Sequence, residues 1–364
     1  MRVKDMCSFL NAAVPVLYQE SYDNSGLQAG DPDMEITSAL LAFDATVEVI
    51  DEAASLGCGL VITHHPVIFH PLKSLTGRTM PERIIMKALR YNIAVYSAHT
   101  SLDLFSGGVS MKMAGKLGLI ASKPLKPIEN KLLKLAVFIP SGHVEKVRDA
   151  LFAAGAGVIG DYDMCSFNAP GYGTFRGNEN SNPFVGKKGE FHREEEIRVE
   201  TILPLHLKNN VLKALLDTHP YEEPAYDIYP LMNDYPLTGL GSIGSLPDPV
   251  DEKEFLEILR LKFHAVGIRY SALTGKKIRK VALCGGAGAS LIHAAIAGGA
   301  DVFVTGDLKY HDFFEAGNHL LLADIGHYES EICSLEILHD LIIKKFPTFA
   351  LRFSGIITNP INYF

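Results

Sequence analysis

The rhythm of apolar and polar positions changes along this chain, and the changes divide it into three blocks. In the first, short runs that are apolar throughout alternate with stretches where apolar residues recur every three or four positions. "ITSALLAFDAT" (36–46) predicts a strand, and "VEVIDEAASLG" (47–57) a helix stopped by Gly57. "CGLVITHHP" (58–66) predicts a second strand that ends in polar residues and Pro66. "PERIIMKALRYN" (81–92) predicts a helix opened by Pro81, "IAVYSAHTSLD" (93–103) a further strand, and "GGVSMKMAGKLGL" (107–119) a helix. Continuously apolar strands separated by amphipathic helices indicate a parallel sheet covered on both faces.

The same style returns after about residue 240. "IRKVALCGG", "ADVFVTGD", "HLLLADIGH" and "TFALRF" read as strands. "GASLIHAAIAGG", "YHDFFEAGN" and the long "YESEICSLEILHDLIIKKF" read as helices. Between the two blocks the style differs. "KLAVFIP" (strand), "HVEKVRDALFAAG" (helix), "DYDMCSF" and "GTFRG" (strands) precede a polar loop, "NENSNPFVGKKGEFHR". "EIRVETILP" (strand), "KNNVLKALLDTHP" (helix) and "AYDIYPL" (strand) follow it. This order is the split βαβ pattern of a ferredoxin-like module. "SKPLKPIEN" and "MNDYPLTGLG" read as linkers on either side. The expected fold is therefore α/β. Two halves with largely parallel sheets, residues 1–127 and 239–364, form an outer domain interrupted by a ferredoxin-like α+β insert at 128–238.

Composition narrows the function classes. With 364 residues, 47% of them apolar, the chain can bury the cores of two or three domains. Its 42 acidic against 34 basic residues leave a net charge of −8, which argues against a general nucleic-acid or anionic-membrane binder. No apolar run is long enough to span a membrane, and "MRVKDMCSFLNAAVP" is too polar for a signal peptide. Five cysteines form no CxxC pair and read as reduced, mostly buried thiols, so a cytoplasmic location is expected.

Ligands of parallel α/β sheets gather at the carboxyl ends of strands, so the polar residues there carry the most information. "LVIT" ends in His64 and His65; "IAVYSAHTSL" leads to Asp103, with His99 just before it; "LLLADIG" ends in His327, one helical turn before Glu331. His327 and Glu331, at i and i+4, share a helix face and can reach a common ion. Adjacent histidines diverge on a regular strand, but a turn past its end can aim both inward. Five such ligands exceed a tetrahedral site and suit two ions with a bridging carboxylate. Donors of nitrogen and oxygen point to Zn first, with Mn, Fe, Co or Ni as alternatives. Each piece also has a plainer reading: the histidine pair as a capped strand end, His327 and Glu331 as a solvated helix pair, Asp103 as an N-cap. Spacing in sequence alone leaves both readings open.

At "SYDNSGLQAG", "VITHHPVIF", "SAHTSLD", "GDLKYHD" and "DIGHYESE" the chain resembles the NIF-three-like family of dinuclear-metal proteins, whose members are often labelled GTP cyclohydrolase 1 type 2 homologues. Bacterial long forms with a PII-like insert match its length and its "HPYEEPAYDIYPL" stretch. The resemblance implies two metal ions held by His64, His65, Asp103, His327 and Glu331, in a ring-shaped homohexamer. Tyr22 departs from the family pattern, standing where many members have Trp before "DNSGL".

The expected activity is a metal-dependent hydrolase of the GTP cyclohydrolase type, acting on a small molecule such as a nucleotide through activated water. The alternative is a regulatory or interaction protein with structural or sensory metals and a small-molecule effector. His99 and His311 are the candidate acid–base residues, and Lys309 a candidate anion contact. "CGGAGAS" (284–290) offers backbone N–H groups to a phosphate but lacks the third glycine of a dinucleotide fingerprint: Leu291 follows Gly286 and Gly288 where it would stand. Close strand–helix packing explains it equally well. Asp23 and Asn24 border the site or form a turn.

Overall fold

The computed structural model describes residues 1–236 and 238–364 in full. Its chain divides into two compact units: Met1–Lys126 with Leu237–Phe364, and Pro127–Pro236.

The first unit contains two sheets. In the five-stranded sheet Leu60–Thr63 lies centrally, parallel to Ser38–Ala42 on one side and to Ala94–Ser97 on the other. Ala350–Phe353 extends it in parallel beyond Ser38–Ala42, and Gly26–Ala29 closes the other edge antiparallel to Ala94–Ser97. Every residue of Leu60–Thr63 is buried, as a strand covered on both faces requires. The helix Val47–Ser55 starts at Thr46, whose hydroxyl accepts the Val49 N–H, and Gly57 at φ +68° follows its end. The helix Met80–Arg90 begins in the same way, at Thr79 followed by proline.

The six-stranded sheet is mixed, which corrects the expectation of largely parallel halves. Lys277–Ala287, Val302–Gly306 and Leu321–Asp324 run parallel, whereas Arg269–Tyr270 and Tyr235–Asp251 pair antiparallel at either side. Ile120–Ile128 is its outermost strand. The two stretches expected to be linkers are thus strands of this sheet. Proline misleads here because Pro124 and Pro127 sit on an edge strand, where a missing N–H costs no ladder bond. The halves also exchange elements: Ile120–Ile128 joins the later sheet and Ala350–Phe353 the earlier one. A helix at Glu252–Phe263 completes this part of the chain.

Two further boundaries differ. The strand expected over 93–103 stops at Ser97, and the short helix His99–Leu104 carries His99 and Asp103. Thr100 and Ser101 divert the chain there, with the Ser101 hydroxyl donating to the Ala98 carbonyl. The long helix expected over 328–346 is two helices, His327–Glu331 and Ser334–Lys345. Bonds from Leu335 N–H to the Ile332 carbonyl and from Glu336 N–H to the Cys333 carbonyl tighten the turn between them.

The second unit has the expected β-α-β-β-α-β order. Its strands are Leu132–Pro140, Ser166–Phe175, His192–Pro204 and Tyr226–Leu231, all paired antiparallel, with Leu132–Pro140 between His192–Pro204 and Tyr226–Leu231. The two strands expected at "DYDMCSF" and "GTFRG" are one, Ser166–Phe175, which includes only the ends of those stretches, Ser166–Phe167 and Gly173–Phe175. The helices Val144–Ala153 and Lys208–Thr218 bury Val147, Leu151, Val211 and Leu215 against Leu135, Val137 and Val199. All five cysteines are free thiols. Among the described residues no helix is long and apolar enough to cross a membrane.

Candidate metal centre

The loop after Leu60–Thr63 explains how two adjacent histidines face one point. The N–H groups of His64 and His65 both donate to the Phe43 carbonyl, at 3.2 and 3.3 Å, so the chain curls where a strand would alternate. The Thr63 hydroxyl donates to the His65 carbonyl at 2.7 Å and the Ser97 hydroxyl to the His64 carbonyl at 2.7 Å. The Phe43 ring packs against both imidazoles.

Glu331 is the hub. Its Oε2 lies 2.9 Å from His327 Nε2, 3.1 Å from His65 Nε2 and 3.4 Å from His64 Nε2. Asp103 Oδ1 is 3.7 Å from His64 Nε2, and His65 and His327 approach through their Nε2 atoms at 3.2 Å. All five residues singled out at the strand ends therefore converge, and ligand atoms of His64, His65 and Glu331 lie within 4.8 Å of one another, the spacing of a metal-ligand group. Gly286, at φ +62°, makes room: a Cβ there would lie 2.0 Å from Glu331 Oε1. Its N–H donates to Ser330 Oγ, and that of Gly288 to Thr305 Oγ1. The glycine-rich stretch thus admits Glu331, and these two N–H groups are already used.

The residues fit metal ions. Both ring nitrogens of His64 and Oδ1 of Asp103 are buried without a hydrogen-bond partner among the described residues. Such groups are costly unless something pairs with them, and a cation held by His64 Nε2 and Asp103 Oδ1, 3.7 Å apart, would pair with both. The donor set of three imidazoles and two carboxylates suits divalent transition ions.

The cluster's own charges strongly displace its protonation. Burial opposes protonation of His65, but Asp44 and Glu331 outweigh it and push its pKa up to about 10. His327 is likewise raised to about 9, burial being outweighed by Glu331 and Asp307. Burial and the Glu331 charge push Asp103 well up, while burial, aided by the neighbouring His65 and His327, lowers His64 against the pull of Glu331. Burial also opposes ionisation of Glu331, but the surrounding imidazoles hold it well below the usual carboxylate range.

Two orienting residues were not foreseen. Asp44 Oδ1 lies 2.7 Å from His65 Nδ1, and Asp307 Oδ2 lies 2.8 Å from His327 Nδ1. Each fixes the outer nitrogen of an imidazole so that Nε2 faces the centre. Asp307 ends the predicted strand "ADVFVTGD", where the strand-end criterion points, whereas Asp44 lies inside the predicted strand "ITSALLAFDAT", which in the structure already stops at Ala42.

His99 borders the cluster, its ring against those of His64 and His65 at 5.8 and 5.5 Å. Its Nδ1 lies 2.6 Å from Asp23 Oδ1. Asp23 also accepts from the Thr100 N–H, the Thr100 hydroxyl and the Ser25 hydroxyl. Burial raises the Asp23 carboxyl, but the bonds from His99 and Thr100 outweigh it and leave it far below its ordinary value. Asp23 is thus the orienting partner of His99, while Asn24 Nδ2 donates to the Ile68 carbonyl beyond the histidine pair. Tyr22 packs against Phe69, which in turn contacts His99. His311 is exposed, with its ring against Tyr310 and Phe314, and Lys309 is exposed as well. A cavity of about 510 Å³ opens beside the cluster, lined by His65, His327, Tyr328, Arg269 and Glu329.

The family model Duf34/NIF3 (NGG1p interacting factor 3) matches residues 1–360. A protein of Halalkalibacterium halodurans named GTP cyclohydrolase 1 type 2 homolog is 42% identical over 347 residues, covering 94% of this chain and 93% of that one. Its Bacillus subtilis namesake is 40% identical over 320 residues, covering 87% and 86%. The crystal structure of a Bacillus cereus protein related to NIF3 superposes with a TM-score of 0.88 at 37% identity, covering 100% of this chain and 99% of that one. The chain belongs to the Duf34/NIF3 family.

Proposed function

We propose that this protein is a dinuclear-metal hydrolase that adds activated water to a small molecule, with GTP ring opening as the leading reaction. The observation that carries this reading is the convergence of the His64, His65 and His327 Nε2 atoms on Glu331 Oε2, beside Asp103 Oδ1, which is buried without a hydrogen-bond partner among the described residues. His64, His65, Asp103, His327 and Glu331 would hold two divalent ions, zinc first. When bound, such ions polarise a substrate oxygen and lower the pKa of a water between them. Asp44 and Asp307 keep the Nε2 atoms of His65 and His327 aimed inward. Asp23 holds His99 through Nδ1, which leaves Nε2 to take or give a proton at the substrate. His311, far more exposed, is the weaker acid–base candidate. The cavity beside His65 and His327 gives a substrate room, and this favours catalysis over a purely structural metal. The PII-like character of the insert and a ring-shaped hexamer belong to the same proposal, on the strength of the family resemblance.

The test couples elemental analysis of protein purified without chelator to GTP turnover on the same sample. About two ions per chain with metal-dependent GTP loss is the expected result. His99→Ala then lowers kcat by roughly 10²–10⁴-fold with metal content unchanged. Two ions with no turnover would remove GTP as the substrate, and no bound metal would remove the whole reading.

A further inference from the structure

The second unit contains a cavity of its own, about 450 Å³ in volume. Phe138, Phe175, Phe184 and Tyr221 supply aromatic walls, and Glu196 lies at its base. Phe184 and Phe175 each stand 6.2 Å from the Tyr221 ring, so three rings surround a common space. Phe184 comes from the polar loop between the two long strands, and the loop is tied down by the Asn182 N–H donating to Glu222 Oε1 at 2.7 Å.

Glu196 is the unusual member. Its residue is only 8% exposed, yet among the described residues its one side-chain partner is neutral: the Tyr221 hydroxyl, donating at 2.9 Å. Neighbouring carboxylates on the same strand have cationic or imidazole partners, Glu200 with Lys134 and Arg198, and Glu194 with His192. A buried carboxylate normally has such a partner because desolvating an unpaired charge is costly. Gly173 leaves space over it, since a Cβ there would lie 2.3 Å from Glu196 Oε2. At the mouth Glu222 and Glu223 outnumber the exposed Arg176. Tyr172 also borders the cavity, but Arg193 already covers its ring at 3.5 Å, a cation on an aromatic face within the same unit.

We propose that this cavity binds a small organic cation, an alkylammonium group held by Glu196 and boxed by Phe175, Phe184 and Tyr221. A hard divalent ion needs six or more oxygen ligands, and aromatic walls supply none. An alkylammonium spreads its charge over carbon, so it gains from ring faces and from a single carboxylate together. An anion would meet three carboxylates against one guanidinium. The site is separate from the metal centre, and its occupancy does not depend on the hydrolase reading.

The test is titration calorimetry on the full-length, metal-loaded protein. The ligands are tetramethylammonium, spermidine, the neutral isostere 2,2-dimethylpropan-1-ol and inorganic phosphate. Saturable binding of either cation, with the neutral alcohol and phosphate much weaker, is expected. Preference for tetramethylammonium would identify a quaternary ammonium ligand, and preference for spermidine a polyamine that also engages Glu222 and Glu223. Glu196→Gln keeps the bond from Tyr221 while removing the charge, and should weaken cation binding at least about tenfold. Phe184→Ala, at an exposed loop position that folding tolerates, should weaken it several-fold. Equal binding of the neutral isostere, binding of phosphate instead, no binding of either cation, or full affinity in both variants would each overturn the proposal.

Discussion

Two buried carboxylates, one in each unit, sit in opposite surroundings. Glu331 is ringed by three imidazoles, two of which, His65 and His327, are held from behind by Asp44 and Asp307. Glu196 is ringed by phenyl and phenol rings and accepts a hydrogen bond from one neutral hydroxyl. Imidazole nitrogens have lone pairs in the ring plane and suit a small, highly charged ion. Benzene-type rings present negative faces instead and suit a diffuse cation. The shared group is the carboxylate; the chemistry of the rings around it decides what it is for. Glycine serves both sites in one way, since Gly286 and Gly173 each leave room where a Cβ would strike the carboxylate.

The contrast can be broken most severely at Glu331. Glu331→Gln should abolish most bound metal, measured as ions per chain, while tetramethylammonium binding stays at its original level. Retained metal would mean that Glu331 is not a metal ligand. Glu196→Gln should do the reverse, leaving ions per chain unchanged. A smaller effect is expected one step back from the ions. Asp44→Asn and Asp307→Asn, read by competition with a chromogenic chelator, should each lower metal affinity about 10–100-fold. An unchanged affinity would show that the two carboxylates do not set the imidazoles.

The mildest test is pH. In the metal-free protein the folded pKa values of His65 and His327, about 10 and about 9, exceed their ordinary 6.5. The folded state therefore binds these protons more tightly than the unfolded one. Their contribution to stability is complete below about pH 6.5 and is lost as the pH rises through 9 and 10. The Tm of chelator-treated protein should accordingly fall over this range, and that of metal-loaded protein, where ions replace the protons, should fall less. Equal slopes would show that the charged imidazoles contribute nothing to the fold.

Much of this was legible before any coordinates. The apolar runs at 58–66 and 319–327 located strands, and the polar residues ending them are the ones that converge. Asp307 ends a predicted strand and Asp44 lies within one, and no local pattern marks either as the partner of an imidazole some twenty residues away. Asp23 read as a turn residue, since its partner His99 lies 76 residues away and no local pattern marks such a pairing. The proline-containing stretches at 122–130 and 232–241 read as linkers because proline signals a break. Only the neighbouring strands show that one of them occupies an edge, where proline is harmless.

By itself, then, the chain determined its local elements and the chemical inventory of the metal centre: apolar periodicity and donor type are properties of adjacent residues. Tertiary structure alone decided which donors meet. The curl that turns His64 and His65 to one side depends on the Phe43 carbonyl, some twenty residues earlier in the chain. The same holds for the second unit, where Phe184, Glu196 and Tyr221 carry no motif. Their convergence follows from strand pairing and loop closure, because a cavity is made by residues distant in sequence whose surfaces fail to fill the space between them.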